Sequence, residues 1–150
     1  EILDWINPYL PKNKPLYTMG VGLDPKDLLA VIEKGVDMFD CVAPTRLARH
    51  GMLFVSPEVN AKHRININNA VFTDDFGPID PNCHCPVCKN SDKTGPNYSR
   101  AYLHHLFSAQ EISAMRLASI HNLFFLTDLM HQAREAIKEN KFLELKKKWD

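Results

Sequence analysis

Three cysteines, Cys83, Cys85 and Cys88, fall within six residues in the stretch "DPNCHCPVCKN", and nothing else in the 150-residue chain restricts its folding as much. Cysteines this close in a loop rarely meet disulfide geometry, and a reducing compartment disfavours bridges. The CxCxxC spacing instead lets three thiolates converge on one tetrahedral ion of the zinc type at about 2.3 Å each, leaving a fourth position that a histidine should fill. The candidates are His84, His104, His105, His121 and His131. His84 alternates away from its flanking cysteines, and His104 and His105 face different sides of one helix. His121 lies where the helical pattern suggests a break, so the reading leans to His121, with His105 next. The competing reading, free thiols in a loop, would leave three closely spaced reactive groups beside Pro86. A reducing setting is expected because the N-terminal "EILDWINPYLPKNK" lacks the basic and apolar regions of a signal peptide. No apolar run approaches the roughly 18 residues a membrane span needs. The chain therefore reads as cytoplasmic and without a membrane partner.

The rest of the chain divides by pattern. Residues 1–14, with Pro8 and Pro11, read as a turn-rich lead-in without its own core. From Pro15 a short apolar run, "PLYTMGVG", precedes a helix start in which Asp24 is N-cap and Pro25 the first helical residue. Leu28, Leu29 and Ile32 share one face of that helix and Gly35 stops it. A second apolar run, "VDMFDCVAP", follows. Strand, helix and strand over so few residues imply a βαβ unit with parallel strands, so residues 15–50 read as one partial α/β layer. Residues 51–150 change character. "GMLFVS" and "HRININNAVF" alternate apolar and polar positions, the pattern of an antiparallel hairpin inserted in place of another βα repeat. The cysteine loop and a polar surface loop, "SDKTGPN", come next, and helices run from Ser99, a plausible N-cap, to the end. Breaks are expected near Ser108 to Gln110 and at Asn122, a possible cap.

One carboxylate is out of place. Asp40 sits inside the apolar run "MFDCVAP", and an unpaired carboxylate entering a core costs several kcal/mol unless something compensates. It also lies near the C-terminal end of a parallel strand, where α/β barrels and open sheets place their active sites. Two readings stand side by side: Asp40 caps or salt-bridges Arg46 or Arg49, or it is a nucleophile or general base at a cationic rim. Lys and Arg total 18 against 18 Asp and Glu, so no global field draws the chain to nucleic acid. A local patch could: Arg46, Arg49, Lys62 and Arg64 face one acid, Glu58, over residues 46–64. On charge alone a solvated loop explains it equally well.

The motifs "YTMGVG", "GVDMFDCVAPTRLARHG", "RININNAVF", "IDPNCHCPVC", "SRAYLHHLF" and "IHN" occur in the order and character of the queuine tRNA-ribosyltransferases, the tRNA-guanine transglycosylases, which the chain resembles from about Pro15 to about Phe142. The resemblance implies the C-terminal part of a (β/α)8 barrel with an inserted zinc-binding subdomain and C-terminal helices. It implies that Asp40 attacks C1′ of the wobble guanosine in a tRNA anticodon, forming a covalent ribosyl intermediate that an incoming 7-deazaguanine, preQ1 or queuine, displaces. By the same resemblance Cys83, Cys85, Cys88 and His121 match the ligands of one structural zinc. Thr45, Arg46 and Arg49 match the segment touching anticodon nucleotides, and Met19 and Gly20 match residues packing against the base. Tyr102, His105 and Glu111 match the homodimer contact. The earlier barrel strands of the family, with its second aspartate, have no counterpart in these 150 residues. Relatives that insert the archaeosine precursor lack the CVxPTR run in this form, which favours the queuosine branch. The rival expectation is a zinc-stabilised domain that binds tRNA or a partner subunit without turnover.

Overall fold

The computed structural model describes residues 2–89 and 97–150. The "SDKTGPN" surface loop falls outside the described residues except for Asn97. Two compact units emerge, one of residues 1–43 with 133–150 and one of residues 44–132.

The first unit is built on a parallel pair, β1 (Tyr17–Met19) and β2 (Met38–Asp40), joined through helix α2 (Pro25–Glu33), as the strand–helix–strand pattern predicts. Helix α2 starts where its sequence dictates. Asp24 is extended at φ −122°, ψ 133°, its side chain accepts the Lys26 N–H at 3.1 Å, and Pro25 occupies a first-turn position that needs no N–H. Leu28 and Leu29 are buried, each contributing about 1.5–3 kcal/mol by leaving water. Helix α6 (Phe142–Lys147) returns to this helix, with Lys146 paired to Glu33 at 2.8 Å. The lead-in contains a short helix, α1 (Ile2–Ile6), and a 3-10 turn over Asn7–Tyr9, where its prolines suggest only turns. Pro8 explains the difference: it lies in the first turn of the 3-10 segment, where a missing N–H breaks no bond. None of these residues is buried.

The second unit opens with helix α3 (Ala43–Arg49) and an antiparallel hairpin, β3 (Met52–Phe54) and β4 (Arg64–Asn66), with Leu53 opposite Ile65. The hairpin is as expected but shorter, because the "AVF" end of the second run, Ala70–Phe72, forms a 3-10 turn. Gly51 between α3 and β3 has φ +75°, and a Cβ there would stand 2.5 Å from Asn68 Nδ2, so both backbone and space demand glycine. Helix α4 (Arg100–Ser108) is capped by Ser99, whose hydroxyl accepts the Tyr102 N–H at 3.1 Å. It ends at the expected place, with Gln110 in the left-handed region at φ 57°. Helix α5 (Ile112–Lys138) then runs 27 residues without a break. The break expected at Asn122 is absent. Ala114, Ala118, His121, Asn122, Leu129 and Ala133 form one buried stripe at helical spacing, and the Asn122 amide is satisfied by other segments rather than by capping its own helix. Leu53, Val55, Ile65, Ile67, Ile79 and Leu103 pack with the three cysteines in a single core.

Candidate functional site

The cysteine loop is held from its start by a buried carboxylate. Asp80 accepts the Ser56 N–H at 2.6 Å through one oxygen and the Asn82 N–H at 2.8 Å through the other. A turn follows in which the Cys88 N–H reaches the Cys85 carbonyl at 3.1 Å and the Cys85 sulfur at 3.4 Å. Asn97 donates to the Pro86 carbonyl at 2.7 Å and the Tyr98 N–H to Val87 at 3.0 Å, closing the far side.

His121 joins the cysteines from the middle of α5. The Nδ1 atom lies 3.8 Å from Cys83 Sγ and 3.4 Å from both Cys85 Sγ and Cys88 Sγ, all four groups being buried and their ligand atoms within 4.8 Å of one another. In a tetrahedron with bonds of about 2.3 Å to sulfur and about 2.0–2.1 Å to nitrogen, the S···N edge is about 3.6 Å, so these spacings fit one tetrahedral ion. The tautomer fits too. His121 Nε2 is 2.7 Å from the Phe54 carbonyl, which only accepts, so Nε2 carries the proton and Nδ1 presents a lone pair to the sulfurs. Charge points the same way. Hydrogen bonds from Cys83 and Cys88 hold the Cys85 thiol far below its ordinary range, while the Cys83 thiol is pushed up to about 12 by its bond to Cys85, and the Cys88 thiol is raised by Cys83 and Cys85. Crowding of the three sulfurs sets their ionisation against one another, and a bound cation would favour the thiolate form of each. His121 is reached without a helix break, because position 121 belongs to the buried stripe. Among the rival histidines, His84, His105 and His131 are exposed, and the His104 ring is engaged at 2.7 Å with the Ile67 carbonyl.

Asp40 occupies the last position of β2, in register with Met19 of β1. Tyr17, Met19, Met38 and Asp40 project from one exposed face of the pair, and Thr18 and Phe39 from the other. The Asp40 carboxylate accepts the Tyr17 hydroxyl at 2.5 Å, and its main-chain oxygen accepts the Gly20 N–H at 2.9 Å. Gly22, at φ +131°, allows the following loop to approach closely, since a Cβ there would lie 3.3 Å from Cys41 Cβ. Sequence reasoning missed Tyr17 and Asp80. Tyr17 was legible as the residue two before Met19 on the same strand face, and Asp80 as the start of an Asp-Pro turn into the cysteines.

The remaining candidates lie in the second unit. Arg46 and Arg49 are exposed, three apart on α3, whose opposite side buries Ala48, and Thr45 is half-buried. Tyr102 and His105 are exposed on α4 and Glu111 is exposed in the turn after it. Tyr102 stacks on Tyr98 at 5.8 Å between ring centroids.

Fold and cluster together define a mixed α/β chain organised around a buried Cys3His set able to hold a metal ion. The chain belongs to the queuine tRNA-ribosyltransferase family, whose sequence profile matches residues 1–150. Proteins named queuine tRNA-ribosyltransferase from Thermoanaerobacter sp. and Fusobacterium nucleatum are 50% and 49% identical to it over 149 residues, and one from Clostridium perfringens is 47% identical over 148. Each alignment covers 99% of this chain and 36% of the relative, so the chain spans about a third of the length of the curated relatives it matches. No helix of the described residues is long and apolar enough to cross a membrane.

Proposed function

We propose that a full-length protein carrying this chain is a tRNA-guanine transglycosylase of the queuosine pathway, which exchanges the wobble guanine of tRNA anticodons for a 7-deazaguanine, preQ1 or queuine. The observation that carries the reading is the placement of Asp40 at the C-terminal end of a parallel strand, in register with Met19 and on the exposed face. There a carboxylate is free to attack while the neighbouring thioether packs against a base. Asp40 forms the covalent aspartyl-ribosyl intermediate. Met19 and Gly20 line the base pocket, and Thr45, Arg46 and Arg49 meet the anticodon backbone with hydroxyl and guanidinium donors. The parallel pair is part of a (β/α)8 barrel completed by upstream strands, and residues 51–150 supply the inserted subdomain and the closing helices. Cys83, Cys85, Cys88 and His121 would hold one structural zinc per chain. Bound there, it would balance the thiolate charge and fasten the loop to α5, leaving no position for a reacting water. The protein acts in the cytoplasm as a homodimer whose contact includes Tyr102, His105 and Glu111. The 150 residues by themselves are expected to show no turnover, since the family's second aspartate lies outside them; the alternative reading is a zinc-stabilised domain that only binds tRNA or a partner subunit.

Covalent trapping tests the reading. In the full-length protein Asp40→Ala abolishes the tRNA adduct and leaves tRNA affinity within a few-fold, whereas Arg46→Ala weakens affinity by about 1 kcal/mol, the scale of one charge-assisted bond. Equal loss of binding in the two variants would reduce Asp40 to an organiser of the arginines.

A further inference from the structure

We propose that Tyr17 is the positioning residue of the nucleophile: its phenol O–H holds one carboxylate oxygen of Asp40 so that the other faces the reacting sugar carbon. The inference rests on Asp40 being the nucleophile. Strand alternation puts Tyr17 and Met19 on the same face of β1, and the parallel register puts Met38 and Asp40 on that face of β2. Met19 stands beside Asp40, so Tyr17, one pleat earlier, is the residue whose ring reaches diagonally forward to the carboxylate. Tyr17 Oη donates to Asp40 Oδ1 at 2.5 Å, the length of a charge-assisted O–H···O⁻ bond, about 2.5–2.7 Å.

Among the described residues the Asp40 carboxylate takes no other hydrogen bond. The Gly20 N–H fixes only its main-chain oxygen, at 2.9 Å. Backbone pairing therefore sets where the strand ends, and Tyr17 alone sets how the carboxylate is turned. Without it, a carboxylate on an exposed strand end rotates broadly about its terminal torsion. A purely structural purpose is a poor account of the contact, because Tyr17 is half exposed and a hydrogen bond in solvent adds little to folding. The bond to Asp40 also raises the Tyr17 ionisation range, which keeps the phenol a donor.

In the reaction an electron pair of Asp40 Oδ2 forms the bond to C1′ and the C1′–N9 bond breaks. Its electron pair leaves on guanine, which takes a proton from water, and Tyr17 keeps its own proton. In the covalent ester the same O–H meets the remaining carbonyl oxygen. When N9 of the incoming base gives its proton to solvent and bonds to C1′, the C1′–Oδ2 bond breaks and its electron pair returns to a carboxylate already held in the attacking orientation.

The test compares wild type, Tyr17→Phe and Asp40→Ala in the full-length protein, reading kcat, KM, single-turnover adduct formation, tRNA affinity and Tm. Tyr17→Phe is expected to lower kcat and the rate of adduct formation by about tenfold to a hundredfold, with KM and affinity within about twofold and Tm unchanged, since orientation and not binding is lost. An unchanged adduct rate in Tyr17→Phe, or a loss carried by KM or Tm, overturns the role of Tyr17 while the nucleophile reading survives if Asp40→Ala forms no adduct. An adduct that persists in Asp40→Ala overturns both.

Discussion

At the scale of single residues, one buried amide connects three separate backbone positions. Asn122 Oδ1 accepts the Phe54 N–H at 2.9 Å, and its Nδ2 donates to the Pro44 and Met52 carbonyls at 3.0 Å each. Its neighbour His121 takes the Phe54 carbonyl, so the two consecutive residues satisfy both polar groups of one strand residue. Asn122→Ala would remove all three bonds and leave the buried Phe54 N–H without its side-chain acceptor. The expected loss is about 3 kcal/mol in urea denaturation, the cost of several unmade buried bonds. Asn122→Ala within about 0.5 kcal/mol of wild type, the range of ordinary surface substitutions, would show that water replaces the amide. In the sequence Asn122 reads as a cap, because Asn favours helix ends. What reverses that reading is a strand 68 residues earlier in the chain, which no local pattern contains.

At the scale of elements, the loop of residues 83–88 has no regular secondary structure and meets α5 through the buried Cys83, Cys85, Cys88 and His121 set, which is able to hold a metal ion. The full-length protein is therefore expected to carry about one zinc per chain by mass spectrometry, and Cys85→Ser should lower both zinc content and Tm. An unchanged Tm in that variant would sink the structural role of the metal. Arg100 fastens α4 to the preceding loop, donating to Asp75 at 2.9 Å and through Nη2 to the Ile79 carbonyl at 3.1 Å. Partial burial pushes the Asp75 carboxyl up, but the Arg100 guanidinium and the Gly77 N–H outweigh it and hold the group below the ordinary value of 3.8. A folded value below the unfolded one means that the contact stabilises the protein above the unfolded value, and that this contribution fades as pH falls through the folded value. The stability gap between wild type and Asp75→Asn, followed by urea denaturation against pH, should accordingly be widest near neutrality and close in acid. A gap that stays constant down to pH about 2 would contradict the ion pair.

At the scale of the whole molecule, the expected dimer belongs to the full-length protein. Tyr102 is 45% exposed and stacked on Tyr98, which presents a rigid aromatic pair at the surface of α4. With His105 three residues on and also exposed, it has the apolar area and polar tip typical of interface anchors. Sedimentation of the full-length protein should show a dimer that Tyr102→Ala weakens by about 2 kcal/mol, the threshold of a hot spot. A dimer indifferent to both Tyr102→Ala and His105→Ala would place the contact elsewhere.

The sequence by itself determined the features that depend on neighbouring residues. Among these are the βαβ unit with its Asp24 cap, the hairpin after Gly51, the Ser99 cap, the end of α4 and the CxCxxC donor set. Each follows from periodicity, cap chemistry or backbone sterics acting over a few residues. Tertiary structure decided which histidine completes the cluster, how Asn122 is satisfied and what orients Asp40. Those choices join segments 23 to 78 residues apart, such as Tyr17 to Asp40 and Pro44 to Asn122. The choices at His121 and Asn122 turn on which polar groups desolvation leaves in need of a partner once the core has closed, and the one at Asp40 on the strand register that brings two exposed side chains together; both arise only in the folded chain.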